Sequence, residues 1–379
     1  MKKSTADSQT SGTTTTEKVW DNLRLNSIFY NDRHGEELGT SVIAEARIII
    51  EGFRRSAMAE EEQQEIKRTI DHNRSSNELT FMVELWEVLL NRSRDRRVRP
   101  TDSDVDPDVE WVTQAWKKDG LRTLWQVQFN PECVPQLDRE DALMSWTMPP
   151  KLKTPYPDIT YGYDIGSCEL VIQLIARRFG PNVCKQALFP WFIVEAKSCE
   201  RPIEEADAQC ARGGATIVKQ DANFQTGIAA ELAKLASPAA GPASTKLSSV
   251  TAEEAIPADT SSSSPSEQPQ STSEPPSPTY PRVDPTNIAF SLSVAPSKAH
   301  LHVHFTVDHT ATETHYHMLD LDSYDMKKLK DYLELRKHIN NILDWGLGPR
   351  KLRLDALCAD AEQAAQLAGK RKIGDITRG

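Results

Sequence analysis

The sequence predicts an α/β (α+β) fold in which a central mixed sheet is flanked by helices. The uncharged run 191–194 is typical of a strand covered on both sides. A second β-prone segment covers 159–163, and the apolar spacing of 169–180 between them predicts a short helix that ends at Gly180. Three later segments alternate in the manner of antiparallel strands: 286–296, 300–309 and 314–322.

Changes in composition along the chain predict its domain organisation. The Ser/Thr-rich start and a Ser/Pro/Thr-rich tract contain too few aromatic residues to offset the entropy of ordering, so we expect both to be disordered. The predicted units are a disordered tail (1–18), a helical N-terminal extension (19–100), the first part of the core (101–236), a disordered linker (237–284) and the C-terminal part of the core (285–370).

Helical periodicity is clearest in the N-terminal extension and near the C-terminus. Segments 41–53 and 78–91 carry apolar residues at helical spacing, and plain core packing explains their Trp and Leu content. From Asp325 an amphipathic helix is predicted to end at Gly346, and a final helix to run through about Ala368.

Composition limits the class of protein. The chain has 379 residues, 38% of them hydrophobic and 26% charged, which is ordinary for a soluble globular protein. No apolar run reaches membrane-spanning length, and the polar start is not a signal peptide. The six cysteines form no CxxC pair, so we expect reduced thiols, no structural zinc site and an intracellular location, nuclear or cytoplasmic.

The net charge of −10 argues against a protein that coats nucleic acid by bulk electrostatics, although a nuclease needs only a local basic track. Such basic clusters are also common as solvated helix ends or tails. The residues that could form a track are Arg92, Arg94, Arg96, Arg97, Arg99 and the cluster Lys370, Arg371 and Lys372.

A carboxylate and an ammonium end the strand at 191–194. Because side chains alternate along a strand, Glu195 and Lys197 point to the same side. A lone E-x-K is most often a pair of solvated charges at the protein surface. Here, however, a second acidic residue, Asp158, lies at the start of the other predicted strand. If the two strands pair, Asp158 and Glu195 converge beside Lys197. Oxygen ligands suit Mg²⁺ or Mn²⁺, so the arrangement predicts metal-assisted phosphodiester chemistry in which Lys197 offsets charge on the phosphate.

These residues resemble the PD-(D/E)XK signature of the restriction-endonuclease-like superfamily, and the surrounding chain resembles fungal PD-(D/E)XK nuclease-like proteins over roughly 106–355. The resemblance implies a central mixed sheet flanked by helices. It also implies that Asp158, Glu195 and the Ala196 carbonyl are metal ligands and that Lys197 is the catalytic lysine.

Two further residues match the family pattern less specifically. Gln209 lies on the face of the following helix that packs toward the sheet, where a glutamine helps to orient the site in many such nucleases; a buried amide bonded to backbone is the alternative. Glu110 is the best match to a metal-binding glutamate on the first core helix, and a surface glutamate near a helix N-terminus is the alternative.

Three functions remain open from the sequence. The first is a Mg²⁺-dependent nuclease acting on DNA or RNA, and the second is a catalytically inactive nuclease-fold protein that binds nucleic acid or protein. The third is an unrelated α+β interaction domain, which the joint occurrence of the Pro-Asp strand start, the E-x-K and the inward glutamine disfavours. No membrane partner is expected.

An H-x-H-x-H pattern places His300, His302 and His304 on one face of a predicted strand. Such a strand can bind zinc or copper, or it can be the solvated face of an edge strand. Because no fourth ligand is evident in the sequence, we favour the solvated edge strand and expect these residues to hold no structural metal.

Overall fold

The computed structural model describes residues 15–52, 60–73, 89, 121–136, 150–165, 182–185, 187–236, 280–310 and 312–376. The helices are α1 (Thr15–Leu25), α2 (Arg33–Leu38), α3 (Thr40–Glu51), α4 (Glu60–Asn73), α5 (Ile203–Ala236), α6 (Leu329–Trp345) and α7 (Lys351–Ile376). The strands are β1 (Ile28–Tyr30), β2 (Leu121–Trp125), β3 (Ile159–Asp164), β4 (Ala187–Ala196), β5 (Arg282–Val283), β6 (Ala289–Ala295), β7 (Lys298–Asp308) and β8 (Thr314–Asp325).

The eight strands form one mixed sheet with the order β1-β8-β7-β6-β4-β3-β2, while β5 pairs with β7. β2, β3 and β4 are antiparallel neighbours, and β4 pairs in parallel with β6. The connection between β4 and β6 contains α5, as a parallel pair requires. The prediction of a central mixed sheet flanked by helices is therefore confirmed.

α5 lies close against one face of the sheet. Two adjacent glycines allow this approach, because a Cβ atom on Gly213 would lie 2.4 Å from Ile193 Cδ1 and one on Gly214 would lie 2.2 Å from the His304 ring. On the opposite face, apolar residues of α3 and α6 join Leu301, Val303 and Phe305 in the largest core cluster. The sheet is consequently covered on both sides along its central strands.

Several sequence predictions differ from the structure at element ends or lie outside the described residues. α1 begins at Thr15, inside the range predicted as a tail, and β5 lies inside the range predicted as a linker. β5 belongs to the sheet because its backbone pairs with Asp308 and Val307. The predicted helices at 78–91 and 169–180 fall outside the described residues, apart from position 89 in the first.

The predicted end of α6 at Gly346 is confirmed in position, but the reason for the glycine is different. Gly346 has right-handed helical dihedrals (φ −59°, ψ −43°), and the chain continues through a π-helical turn at Gly346–Arg350. Its carbonyl accepts a 2.5 Å hydrogen bond from Tyr163 Oη. A Cβ atom on Gly346 would lie 2.1 Å from Trp191 Nε1, so close packing requires the glycine.

Gly346→Ala is expected to destabilise the fold by about 1–3 kcal/mol, because Trp191 is fully buried and the added methyl group overpacks the core. Chemical denaturation measures this difference. Gly348→Ala is the matched control in the same turn, since no atom lies within 4 Å of its added Cβ. Equal stability of the two variants would contradict the packing explanation.

Candidate functional site

Asp158 and Glu195 lie opposite each other across the β3–β4 pair. Ile159 pairs with Val194, so the same register places the next residue of each strand face to face. The Ala196 N–H donates a 2.8 Å hydrogen bond to Asp158 Oδ2, which holds this carboxylate at the end of β4. Asp158 is half-buried and Glu195 is 2% exposed. Asp158 and Glu195, which were predicted to converge, are therefore cross-strand neighbours.

Lys197 lies beside this pair of carboxylates. Its backbone N–H donates to Val294 O at 2.9 Å, which extends the β4–β6 ladder one residue past the strand end. Lys197 Nζ lies 3.9 Å from Glu195 Oε2 and donates a 2.8 Å hydrogen bond to the Ala196 carbonyl. Lys197 is 4% exposed, so its ammonium is held inside the protein next to the carboxylate. We call Asp158, Glu195 and Lys197 the carboxylate–lysine site.

The carboxylate–lysine site faces α5. Glu195 is on the same side of β4 as Ile193, which contacts the helix at Gly213. Gln209 on α5 is half-buried, and its Oε1 is buried without a hydrogen-bond partner among the described residues. The amide oxygen of Gln209 therefore makes no hydrogen bond to the backbone of the described residues.

Arg212 was missed by the sequence reasoning. Burial lowers the pKa of its guanidinium, and the nearby negative charge of Glu195 acts in the opposite direction. Its Nε is buried and has no hydrogen-bond partner among the described residues. The signal in the sequence was its position three residues after Gln209, which places both side chains on neighbouring parts of one helical face.

The other predicted site residues cannot be located in the same detail. Glu110 and the arginines between 92 and 99 lie outside the described residues. The backbone of α7 runs through 370–372, but the side chains of this cluster lie outside the description.

The prediction that the H-x-H-x-H strand is a solvated edge strand is wrong. β7 lies between β6 and β8, and His302 and His304 are 0% and 1% exposed. The alternation of the three histidines is correct, but α5 covers their face of the sheet, with Gly214 packed on His304. The sequence pattern could not reveal this cover, because it comes from a helix about ninety residues away.

His300 and His302 are joined by hydrogen bonds to carboxylates from other elements. His302 contacts Asp207 of α5 through Nε2 at 3.2 Å and Asp320 of β8 through Nδ1 at 2.7 Å. His300 Nδ1 contacts Asp207 at 3.2 Å, and Ser293 Oγ lies 3.2 Å from His302 Nε2. We call Asp207, His302 and Asp320 the Asp–His–Asp network.

Opposite charges stabilise one another within this network. Burial alone would lower the pKa of His302, but hydrogen bonds to Asp207 and Asp320 outweigh burial and raise it above its ordinary value. Burial alone would raise the pKa of Asp207, but hydrogen bonds from His300 and His302 hold it well below its usual range. The geometry thus favours an imidazolium held between two carboxylates.

The network also connects β1 to the sheet. Asn31 Nδ2 donates to Asp320 Oδ2 at 2.7 Å, and Tyr30 Oη donates to the same oxygen at 3.2 Å. Burial, followed by the negative charges of Asp207 and Asp320, raises the pKa of the Tyr30 hydroxyl. Tyr30 and Asn31 therefore join the N-terminal segment to the Asp–His–Asp network.

A second histidine group lies at the far end of the β7–β8 hairpin. One ring nitrogen from each of His309, His315 and His317 lies within 4.8 Å of the others. Burial, followed by the charge of His315, lowers the pKa of His309. Burial also lowers the pKa of His317, although its hydrogen bond to Asp32 acts in the opposite direction. We call these three residues the hairpin histidines.

Comparison with protein-family models, with curated proteins and with solved structures gives no match. Among the helices that the structure describes, none is long and apolar enough to cross a membrane.

Proposed function

We propose that the chain is a Mg²⁺- or Mn²⁺-dependent nuclease with a restriction-endonuclease-like core, acting on the phosphodiester bonds of DNA or RNA. The observation that carries the proposal is the placement of Asp158 opposite Glu195, with Lys197 Nζ 3.9 Å from the Glu195 carboxylate. The mixed sheet and the crossover helix α5 support the same fold class.

The donor set fits a hard divalent ion. Asp158 and Glu195 supply carboxylate oxygens, and the Ala196 carbonyl retains a second lone pair beside its hydrogen bond from Lys197. Glu195 is buried, so access is from the half-buried side of Asp158. When bound, the ion would polarise a phosphoryl oxygen and acidify a water molecule.

The protein's own residues then have distinct roles. The two carboxylates hold the cation and repel each other without it. The Lys197 ammonium stabilises negative charge that develops on the phosphate, and its burial beside Glu195 keeps it in position. The family resemblance assigns to Gln209 the role of orienting the site, and its Oε1 is buried without a hydrogen-bond partner among the described residues. Glu110 remains a proposed additional ligand.

A second candidate is a catalytically inactive nuclease-fold protein that binds nucleic acid or protein. One observation favours it: Lys197 Nζ already bonds the Ala196 carbonyl, which the family resemblance implies as a metal ligand. In this case the lysine would replace the cation as the neutralising charge beside Glu195.

An intracellular location, nuclear or cytoplasmic, accompanies both candidates. It is supported by the described cysteines, which form no disulfide with one another; Cys133, Cys184, Cys210 and Cys358 are buried and Cys199 is exposed.

The test is cleavage of labelled single-stranded DNA, double-stranded DNA and RNA by the wild-type chain with Mg²⁺, with Mn²⁺ and with chelator. The nuclease proposal expects metal-dependent cleavage that Asp158→Ala and Glu195→Ala abolish. Binding of nucleic acid without cleavage in either metal would favour the inactive module. Cleavage that persists unchanged in both variants would identify a contaminating enzyme and leave the site without a role.

A further inference from the structure

We infer that the hairpin histidines, His309, His315 and His317, bind one transition metal ion of the Zn²⁺ class, at a site separate from the carboxylate–lysine site. They lie on the sheet face opposite α5, because His317 stacks on Phe305 of the other core face with ring centroids 5.4 Å apart. The site therefore does not depend on the nuclease proposal.

The hairpin itself brings the three rings together. His315 and His317 are two residues apart on β8, so they share one face of the strand. The backbone N–H of His309 donates a 2.9 Å hydrogen bond to the Glu313 carbonyl, which closes the turn and returns the chain beside His315. The ring centroids of His309 and His315 are 4.1 Å apart. No rearrangement of the backbone is needed to place one nitrogen of each ring within 4.8 Å of the others.

Two buried ring nitrogens in this group have no hydrogen-bond partner in the part of the chain that the structure describes. They are Nε2 of His309 and Nε2 of His317, and His317 as a whole is 2% exposed. Buried polar atoms are nearly always paired, so two unpaired nitrogens in one cluster point to a missing ligand.

Asp32 fixes the orientation of the most buried ring. The Asp32 carboxylate can only accept, so His317 Nδ1 donates the 2.9 Å hydrogen bond between them. In a neutral imidazole the lone pair is then on Nε2, the unpartnered nitrogen. Asp32 is itself fixed, because its Oδ2 accepts a 3.0 Å hydrogen bond from Gly35 N at the start of α2. Carboxylates that orient metal-binding histidines in this way are typical of zinc sites.

The chemistry of the ligands selects the metal. Imidazole nitrogen suits Zn²⁺, Cu²⁺ and Ni²⁺, whereas Mg²⁺ prefers oxygen. Zn²⁺ is usually tetrahedral, so three protein ligands leave its fourth position for water or another ligand. The rings of His309 and His315 are half-buried, so this fourth position faces solvent. The Glu313 side chain is 57% exposed, and its carboxylate bonds His315 Nε2 at 3.0 Å. This bond holds the His315 ring in place near the protein surface.

The other histidine group is a weaker candidate for a metal site. Asp207, His300 and His302 also meet within 4.8 Å, but both nitrogens of His302 already contact carboxylates of the Asp–His–Asp network. The two groups can therefore be separated by experiment, with His300 as the matched control.

The experiment is a calorimetric titration of the chelator-treated full-length chain with Zn²⁺ in excess Mg²⁺. We expect one Zn²⁺ per chain in wild type, His300→Gln and Glu195→Ala. His309→Gln and His315→Gln should lose this binding, and both rings are only half-buried, so the variants should fold, as circular dichroism can verify. Asp32→Asn should weaken binding by about 10- to 100-fold.

Two outcomes would overturn the inference. One is the absence of Zn²⁺ binding by the wild-type chain, and the other is binding that His300→Gln abolishes while His309→Gln and His315→Gln retain it. Visible absorption of Co²⁺-loaded wild type provides a measurement that needs no variant. Tetrahedral cobalt bands are expected, and a spectrum identical to aqueous Co²⁺ would count against the site.

Discussion

Replacing Lys197 with alanine is expected to lower nucleic-acid cleavage by about 10²- to 10³-fold while leaving the affinity for Mg²⁺ unchanged or higher. In the proposed mechanism the ammonium would act on charge that develops on the phosphate, whereas Asp158 and Glu195 would hold the cation. Removing Lys197 also removes a positive charge 3.9 Å from Glu195, which favours a divalent cation at the same place. Arg212 remains near Glu195 and provides the residual compensation for its charge.

The measurement combines calorimetric Mg²⁺ titration with cleavage rates for wild type, Lys197→Ala and Glu195→Ala. Lys197→Met is the packing control, because it keeps an apolar stem of similar length and removes the ammonium. Lys298→Ala removes an exposed lysine and should change neither property. Glu195→Ala should lose Mg²⁺ binding and cleavage together. Full activity in both Lys197 variants would rule out a catalytic role for the lysine.

Asp207→Asn is expected to destabilise the fold by about 3–5 kcal/mol, because it removes the buried counter-charge of the His302 imidazolium and leaves only the partly exposed Asp320 beside it. Asp207 is 1% exposed and His302 is fully buried, so water cannot replace the lost carboxylate. Asp320 still contacts His302 at 2.7 Å, but its side chain is 38% exposed and provides a weaker counter-charge.

The pH dependence of this loss follows from the direction of each pKa shift. The pKa of His302 is raised in the folded state. Its contribution to stability is therefore fully present below the unfolded pKa of about 6.5 and is lost as pH rises through the folded pKa. The pKa of Asp207 is lowered, so its contribution is present above about 3.9 and is lost as pH falls through the folded pKa. The difference in the free energy of unfolding between wild type and Asp207→Asn should therefore be largest between about pH 4 and 6.5.

Urea denaturation of wild type and Asp207→Asn from about pH 4 to about pH 9 measures the effect. Asp360→Asn is a control at an exposed position of α7 and should match wild type within about 0.5 kcal/mol. A stability difference between wild type and Asp207→Asn that is small, or that is constant from pH 4 to 9, would show that the network is not ionised as described.

The sheet around the carboxylate–lysine site was predictable because its signals are local. The uncharged run in β4, the β-prone segment of β3 and the alternation at the end of β4 each depend on a few adjacent residues. Their pairing then fixes Asp158 opposite Glu195 without further information. For this reason the arrangement of these two carboxylates and Lys197 could be anticipated from the sequence.

The histidine environments were not predictable because they depend on partners from distant parts of the chain. Asp207 reaches His302 from α5, and Asp32 reaches His317 across 285 positions. The alternation of His300, His302 and His304 shows that they share a face, but not whether a helix covers that face. Gly346 illustrates the same limit, since its contact with Trp191 is tertiary.

The most direct test of the proposed function is anomalous diffraction from crystals of the wild-type chain soaked in Mn²⁺. The proposal predicts an anomalous peak at which oxygens of both Asp158 and Glu195 lie on the order of 2 Å from the ion. The Lys197 ammonium should lie beside the ion without occupying the ion's position. A crystal that binds Mn²⁺ elsewhere, with no peak between Asp158 and Glu195 even when nucleic acid is bound, would contradict the proposal.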